Sequence, residues 1–295
     1  MIEPPRIAVV GAGVIGAGVA HALAERGRDV LLLDRDEAAL DRARASIRAG
    51  ARLARLQRRG PVDASGAGGA GDLLARICFT TERSGLDAVD IVIENVTEDL
   101  ETKLAVHREL DARCTGECVF AANTSAIPMA KIAAATRRPE RLVGLHFMNP
   151  VPSSAMVEVV RGARTSEATL GRVADLLGAM GKDFIVVHDA PGFVINRVLM
   201  PAINDAVAVV HEGTAGAADV DRLFQSCLGH AMGPLRTADL IGLDTVLRTL
   251  EVLAAELGGD RCTPCPLLRE MVERGLLGRK SGRGFFLYDA DLGDG

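Results

Sequence analysis

Along the chain, short unbroken apolar runs take turns with longer stretches in which apolar positions recur at helical spacing. Arg6-Ile-Ala-Val-Val10 is a β-branched run followed at once by a glycine-rich turn, and Ala17 to Arg26 then carries good helix formers. Asp29-Val-Leu-Leu-Leu-Asp34 is a second apolar run, ending in an acid. From Glu37 to Arg59 the chain is rich in Ala and Arg, with Leu40, Ala43 and Ile47 at helical spacing, which predicts a long basic helix. Gly60 to Gly71 is built almost wholly of small residues and predicts a mobile loop. Short apolar runs at Ile77 to Thr80, Ile91 to Glu94, Val119 to Ala122, Leu142 to Phe147, Met156 to Val160 and Phe184 to Val187 predict strands, with helical segments between several of them. Such alternation predicts a doubly wound, largely parallel sheet covered by helices. After Asp189-Ala-Pro-Gly192 the strand pattern stops and the chain reads as helical until Phe285, so the predicted domains are 1–188, α/β, and 189–295, smaller and all-α.

The first turn carries the first chemical signal. Gly11-Ala-Gly13-Val14-Ile15-Gly16 stands between a strand and a helix, where Gly11 permits the tight turn, Gly13 lets a pyrophosphate approach the backbone and Gly16 lets helix and strand pack closely. The phosphates would meet the positive end of the helix dipole. Asp34, at the end of the second run, stands where an acid accepts hydrogen bonds from both ribose hydroxyls and repels a 2'-phosphate, which favours NAD over NADP. Together these features predict a Rossmann-like dinucleotide site. The run Ile7 to Ala24 lacks charged residues, yet its four glycines and His21 argue against a membrane span.

Composition narrows the partners. With 34 Lys and Arg against 39 Asp and Glu, a net charge of −5 offers no general attraction to nucleic acid or to an anionic membrane surface. One Tyr, eight Phe and no Trp are too few for a platform on which bases stack. Six cysteines are too sparse to staple 295 residues and no secretory signal is read, so a reduced, cytoplasmic protein is expected. Cys262-Thr-Pro-Cys265 lacks the further ligands a zinc site needs and is read as ordinary thiols; no metal is expected.

Among six histidines, His21, His107 and His211 fall in helical stretches and read as packing or surface groups, while His188 and His230 stand undecided at element ends. His146 differs: it closes the strand Leu142 to Phe147 and precedes Met148-Asn149-Pro150, at the sheet edge where ligands gather. An imidazole there can take a hydroxyl proton near neutral pH if something orients it. Glu158 stands in the apolar strand Val157-Glu-Val-Val160, where an unpaired charge is costly, so it either pairs with His146 or faces solvent from an edge strand. Asn123 and Ser125 follow another apolar strand and either bind substrate or nicotinamide or cap the next helix.

Taken in order, the motifs Val9 to Gly16, Ile91-Val-Ile-Glu-Asn-Val-Thr-Glu-Asp-Leu100, Asn123-Thr-Ser125, His146-Phe-Met-Asn-Pro-Val-Pro152, Pro191-Gly-Phe-Val-Ile-Asn-Arg197, Gly229 to Leu235, Ala238 to Asp244 and Leu277 to Phe285 make the chain resemble the 3-hydroxyacyl-CoA dehydrogenase family over nearly its whole length. The resemblance implies a Rossmann-like domain joined to a helical domain that dimerises, and NAD-dependent oxidation of a 3-hydroxyacyl thioester to the 3-ketoacyl thioester. It implies that His146 is the general base, that Glu158 orients it, and that Ser125, Asn149 and Asn196 contact the substrate end of the site. By the same resemblance Asp34, Glu98, Lys103 and Lys280 contact the cofactor.

The chain departs from that pattern between the long helix and the next strand, where the family usually carries a charged arm that touches CoA. Gly60 to Gly71 has no Lys or Arg, so a CoA phosphate would have to find Arg52, Arg55, Arg58 or Arg59. Pro152-Ser-Ser-Ala-Met156 and Pro234-Leu-Arg-Thr-Ala238 resemble a branch of the family acting on glyceryl or seryl groups tethered to an acyl carrier protein, on the way to polyketide extender units. A carrier protein is acidic, and the arginine-rich helix would suit it. Two substrates therefore stay open, carrier-borne or CoA-borne, with the carrier slightly preferred. A non-catalytic NAD-binding protein is the remaining alternative; such a relic would be expected to have lost at least one of Ser125, His146, Asn149, Glu158 and Asn196, and all five are present.

Overall fold

The computed structural model describes residues 6–57 and 70–288. Contacts divide the chain into two compact units, residues 1–189 and 190–295.

The first unit is built on eight strands: β1 (Ile7–Val10), β2 (Val30–Leu33), β3 (Ile77–Thr80), β4 (Ile91–Glu94), β5 (Val119–Asn123), β6 (Leu142–Phe147), β7 (Met156–Arg161) and β8 (Asp183–His188). They form one sheet in the order β3-β2-β1-β4-β5-β6-β7-β8. Every pairing is parallel except β6 with β7, where the chain doubles back and pairs Gly144 with Val160 through to Phe147 with Val157. The first six strands end on one edge. Between β1 and β4 the strand order reverses, leaving the crevice in which doubly wound sheets bind ligands.

Helices cover this sheet: α1 (Val14–Glu25), α2 (Glu37–Gln57), α3 (Ala70–Ala75), α4 (Leu100–Arg113), α5 (Met129–Ala133) and α6 (Glu167–Ala179). Strand residues such as Val9, Leu32, Ile93 and Ala121 are buried because both faces of a parallel sheet are packed. On α2 the buried positions are Leu40, Ala43, Ile47 and Ala51, and Arg48 and Arg52 point to solvent. Arg58 and Arg59, the side chain of Arg55, and most of the stretch predicted as a loop from Gly60 lie outside the described residues. Its end does not: Gly71 lies in α3.

The second unit packs α7 (Ile195–His211), α8 (Ala217–Leu228), α9 (Pro234–Ile241), α10 (Leu243–Leu257) and α11 (Pro266–Glu273) around a core that includes Ile203, Leu235, Val246, Leu250 and Leu268. Its buried acids close the chain onto this core. Asp221 accepts from the amides of Leu235 and Arg236 at 2.8 and 2.9 Å, satisfying the start of α9. Asp239 accepts from the amides of Phe285 and Phe286 and the hydroxyl of Tyr288, each at 3.0 Å. A Cβ at Gly284 would stand 2.0 Å from Asp239 Oδ1, so this glycine of the Leu277 to Phe285 motif exists to let the terminal segment reach that carboxylate. Among the described residues no helix is long and apolar enough to cross a membrane.

Candidate active site

At the end of β1 the glycines behave as three different parts. Gly11 has φ +99°, and a Cβ on it would stand 2.6 Å from the carbonyl oxygen of Asn95. On Gly16 a Cβ would stand 1.8 Å from the Gly11 carbonyl oxygen, so only hydrogen fits where α1 crosses its own turn. Gly13 has nothing within 4 Å of its Cβ position. It is the N-cap of α1 and supplies no side-chain hydrogen bond, so the first amides of the helix, from Val14, Ile15 and Gly16, have no capping side chain. An uncapped helix start behind a bare glycine fits a pyrophosphate. Asp34, just past β2, reaches back to this turn: its Oδ2 accepts from the Ala12 amide at 2.7 Å, and its Oδ1 from the Asp36 amide at 3.0 Å. Beside the turn, Asn95 Oδ1 is buried with no hydrogen-bond partner among the described residues.

Beyond β4 and β5, Glu98 organises the loop that carries Ser125. Its Oε1 accepts from Thr124 Oγ1 at 2.6 Å, the Ser125 amide at 2.8 Å and the Ala126 amide at 3.1 Å. Asn123 Oδ1 accepts from the amide of Phe147 at 3.2 Å, tying the end of β5 to the end of β6. Thus Asn123 and Ser125 stand on the same edge as the glycine turn; the Thr124 hydroxyl accepts from the Ile127 amide at 3.0 Å within the turn, and the first amides of the next helix, Met129 and Ala130, donate to Asp189, both at 2.9 Å.

His146 and Glu158 are directly registered across β6 and β7. His146 Nδ1 and Glu158 Oε2 are 2.9 Å apart, and the two residues are 6% and 5% exposed. A carboxylate accepts only, so Nδ1 carries the proton in this bond and Nε2 is left as the acceptor of the ring. Past β6, Asn149 is exposed and precedes Pro150 through a cis peptide bond. Lys182 holds the loop that follows, donating to the carbonyls of Val151 and Ser154, both at 2.6 Å. Burial pushes the Lys182 ammonium below its ordinary range. The sequence reading missed this lysine, which carries no motif signal.

A second group lies just beneath the edge, of which the sequence reading missed Glu94 and its pairing with Lys103 and His107. Glu94, Lys103 and His107 are each 0% exposed. Lys103 Nζ donates to Glu94 Oε1 at 2.8 Å, to Glu94 Oε2 at 3.1 Å and to the carbonyl of Asn123 at 2.7 Å. His107 Nε2 stands 3.3 Å from Glu94 Oε2. Burial alone would raise the Glu94 carboxyl, but the His107 ring and the Lys103 ammonium outweigh it and hold the carboxyl below its ordinary range. Lys103, expected at the cofactor, is thus sealed from solvent with its protons committed inside the protein. That expectation rested on motif position, which says nothing of where Nζ points. The signal for Glu94 was present: an acid closing the apolar run Ile91-Val-Ile needs a partner just as Glu158 does.

Asn196 and Lys280 belong to the second unit. Asn196 is buried in the first turn of α7, and Lys280 pairs with Asp244. His107, read as packing or surface, is the buried partner of Glu94.

The model of the 3-hydroxyacyl-CoA dehydrogenase NAD binding domain matches residues 6–190, and that of the family's C-terminal domain matches residues 192–288. A probable 3-hydroxybutyryl-CoA dehydrogenase of Bacillus subtilis is 41% identical over 98% of this chain and 99% of its own length. The 3-hydroxybutyryl-CoA dehydrogenase of Clostridioides difficile is 37% identical over 96% of this chain and 99% of its own. In the crystal structure of (S)-3-hydroxybutyryl-CoA dehydrogenase from Ralstonia eutropha, 39% identical, the fold superposes with a TM-score of 0.88 over 97% of this chain and 100% of that one. With both of its halves matched in order, the chain belongs to the 3-hydroxyacyl-CoA dehydrogenase family, NAD-dependent oxidoreductases acting on a CH–OH group.

Proposed function

We propose that the protein oxidises the 3-hydroxyl of a 3-hydroxyacyl thioester, with His146 as general base. The observation that carries this is the buried bond from His146 Nδ1 to Glu158, which leaves Nε2 as acceptor beside the cofactor edge. Nε2 takes the hydroxyl proton, and the charge that develops on the ring is met through Nδ1 by Glu158, which moves no proton itself. NAD, when bound, supplies the hydride acceptor for C3 of the substrate. Gly11, Gly13, Val14, Ile15 and Gly16 hold the pyrophosphate, Asp34 the ribose hydroxyls, and Glu98, Asn123 and Lys280 further parts of the cofactor. Ser125, Asn149 and Asn196 hold the substrate hydroxyl and thioester end.

For the thioester carrier, CoA is favoured by the names of the relatives, which are CoA-thioester dehydrogenases. A carrier-protein thioester is the second reading, favoured by the absence of Lys and Arg from Gly60 to Gly71 and by the exposed Arg48 and Arg52 of α2. A homodimer through the helical unit is also proposed, supported by the exposed Val198, Leu223 and Leu228, and light scattering tests it. The substrate is decided by following NADH with 3-hydroxybutyryl-CoA and, in parallel, with a carrier protein loaded with a glyceryl or 3-hydroxybutyryl group. Turnover on the CoA ester is the expected result. Turnover on the loaded carrier alone would overturn the CoA reading, and turnover on neither would overturn the thioester reading.

A further inference from the structure

We infer that Lys103, gripped by Glu94, is a positioning residue for this reaction: it ties the end of β4 to the end of β5 and so holds the loop of Asn123 and Ser125 against the strand of His146. The inference rests on the proposed activity. Its basis is a bond path that runs one way across the cofactor edge. Glu94 Oε1 accepts from the Val96 amide at 2.7 Å and so fixes the loop leaving β4. The same carboxylate holds Lys103 Nζ, which reaches the Asn123 carbonyl at 2.7 Å. Asn123 in turn accepts from the amide of Phe147, the residue after His146. Lys103 Nζ also lies 3.7 Å from Glu98 Oε2, whose other oxygen holds Ser125 and Ala126. His107 braces Glu94 from behind, one turn along α4, with its Nδ1 left unpartnered among the described residues.

A fully buried ion pair is a costly way to stabilise a fold, because an apolar pair of similar volume would often serve as well. What an apolar pair could not do is grip a carbonyl at the end of a strand. The Asn123 carbonyl marks the last residue of β5, where the ladder stops and the ligand-facing loop begins. Small displacements there move substrate and cofactor groups relative to the base, and misplacement by about 1 Å can cost about a hundred-fold in rate.

Three variants separate positioning from stability and from cofactor contact: Lys103→Met, Glu94→Gln, and the two combined. Each single change strands a buried partner and lowers the melting temperature, whereas the double change removes both charges and recovers much of that loss. Positioning predicts that kcat stays about ten-fold or more down in the double variant despite its regained stability, with the NADH Kd within about three-fold of wild type. It also predicts faster amide hydrogen exchange over residues 124–127 in the double variant. The inference is overturned if kcat recovers together with the melting temperature, if the NADH Kd rises as much as kcat falls, or if exchange over 124–127 is unchanged. Hydrogen exchange needs no substrate, so a wild type that turns over no thioester would refute the activity and leave the exchange result to decide the role of Lys103.

Discussion

His146 and Glu158 face each other as a directly paired couple across the one antiparallel step of the sheet, Nδ1 2.9 Å from Oε2. In an antiparallel pair the side chains of opposed residues emerge on the same face, so the strand register itself delivers the carboxylate to the imidazole. Glu158→Gln keeps the shape but removes the charge that, on the proposed mechanism, stabilises the protonated ring. The expected result is a loss of about ten- to a hundred-fold in kcat, less than removal of the base itself, with little change in NADH affinity. Steady-state kinetics beside an NADH titration checks it; an unchanged kcat would detach Glu158 from the mechanism.

Gly13 and Gly16 are three residues apart and tolerate a methyl group very differently. Gly13→Ala meets nothing within 4 Å and has φ −67°, so it should leave the melting temperature nearly unchanged while weakening NADH binding by about ten-fold or more, because the methyl stands where the pyrophosphate approaches. Gly16→Ala drives a Cβ to 1.8 Å from a backbone oxygen and should cost about 1–3 kcal/mol of stability. Thermal melts with and without NADH distinguish the two effects.

The Asp34 carboxylate already accepts from the Ala12 amide, and on the proposed cofactor reading it also selects against a 2'-phosphate. Asp34→Ser should lower the preference for NAD over NADP by about ten-fold or more, read from the ratio of kcat/KM values. A preference that survives the change would place discrimination elsewhere.

Tyr288 offers a probe of the second unit, because it is the only tyrosine in a chain without tryptophan. Burial, and then its hydrogen bond to Asp239, push its hydroxyl up to about 12. At pH 11 about a tenth of it should be ionised, against about nine tenths for a free tyrosine of pKa near 10. Because the folded value is raised, the stabilisation is complete below about pH 10 and is lost as the pH climbs through about 12. Tyrosinate absorbance measures this directly, and Asp239→Asn should bring the midpoint down.

The strands were legible because a sheet packed on both faces needs unbroken apolar runs, and Ile77–Thr80, Ile91–Glu94 and Leu142–Phe147 run just as the pattern predicts. Strand direction was not legible: nothing in Met156 to Val160 tells that this run is antiparallel to its neighbour. Within the site, the hydrogen bond between Glu158 and His146 follows from the cost of an acid in an apolar strand. By that same reasoning Glu94 was readable and went unread, because its partners Lys103 and His107 stand on a helix whose polar residues look solvent-facing. On α4, Lys103, His107, Leu110 and Asp111 are the buried face. Its mixed composition hides which side faces the sheet, and only the tertiary fold shows that the charges point inward.

On the proposed mechanism His146 removes the hydroxyl proton while the cofactor is held independently of it. The most direct test is His146→Gln, measured for NADH formation from 3-hydroxybutyryl-CoA and for NADH binding in the same preparation. The expected result is a loss of about 10²- to 10⁴-fold in kcat with the NADH Kd nearly unchanged. A variant that turns over at the wild-type rate would contradict it.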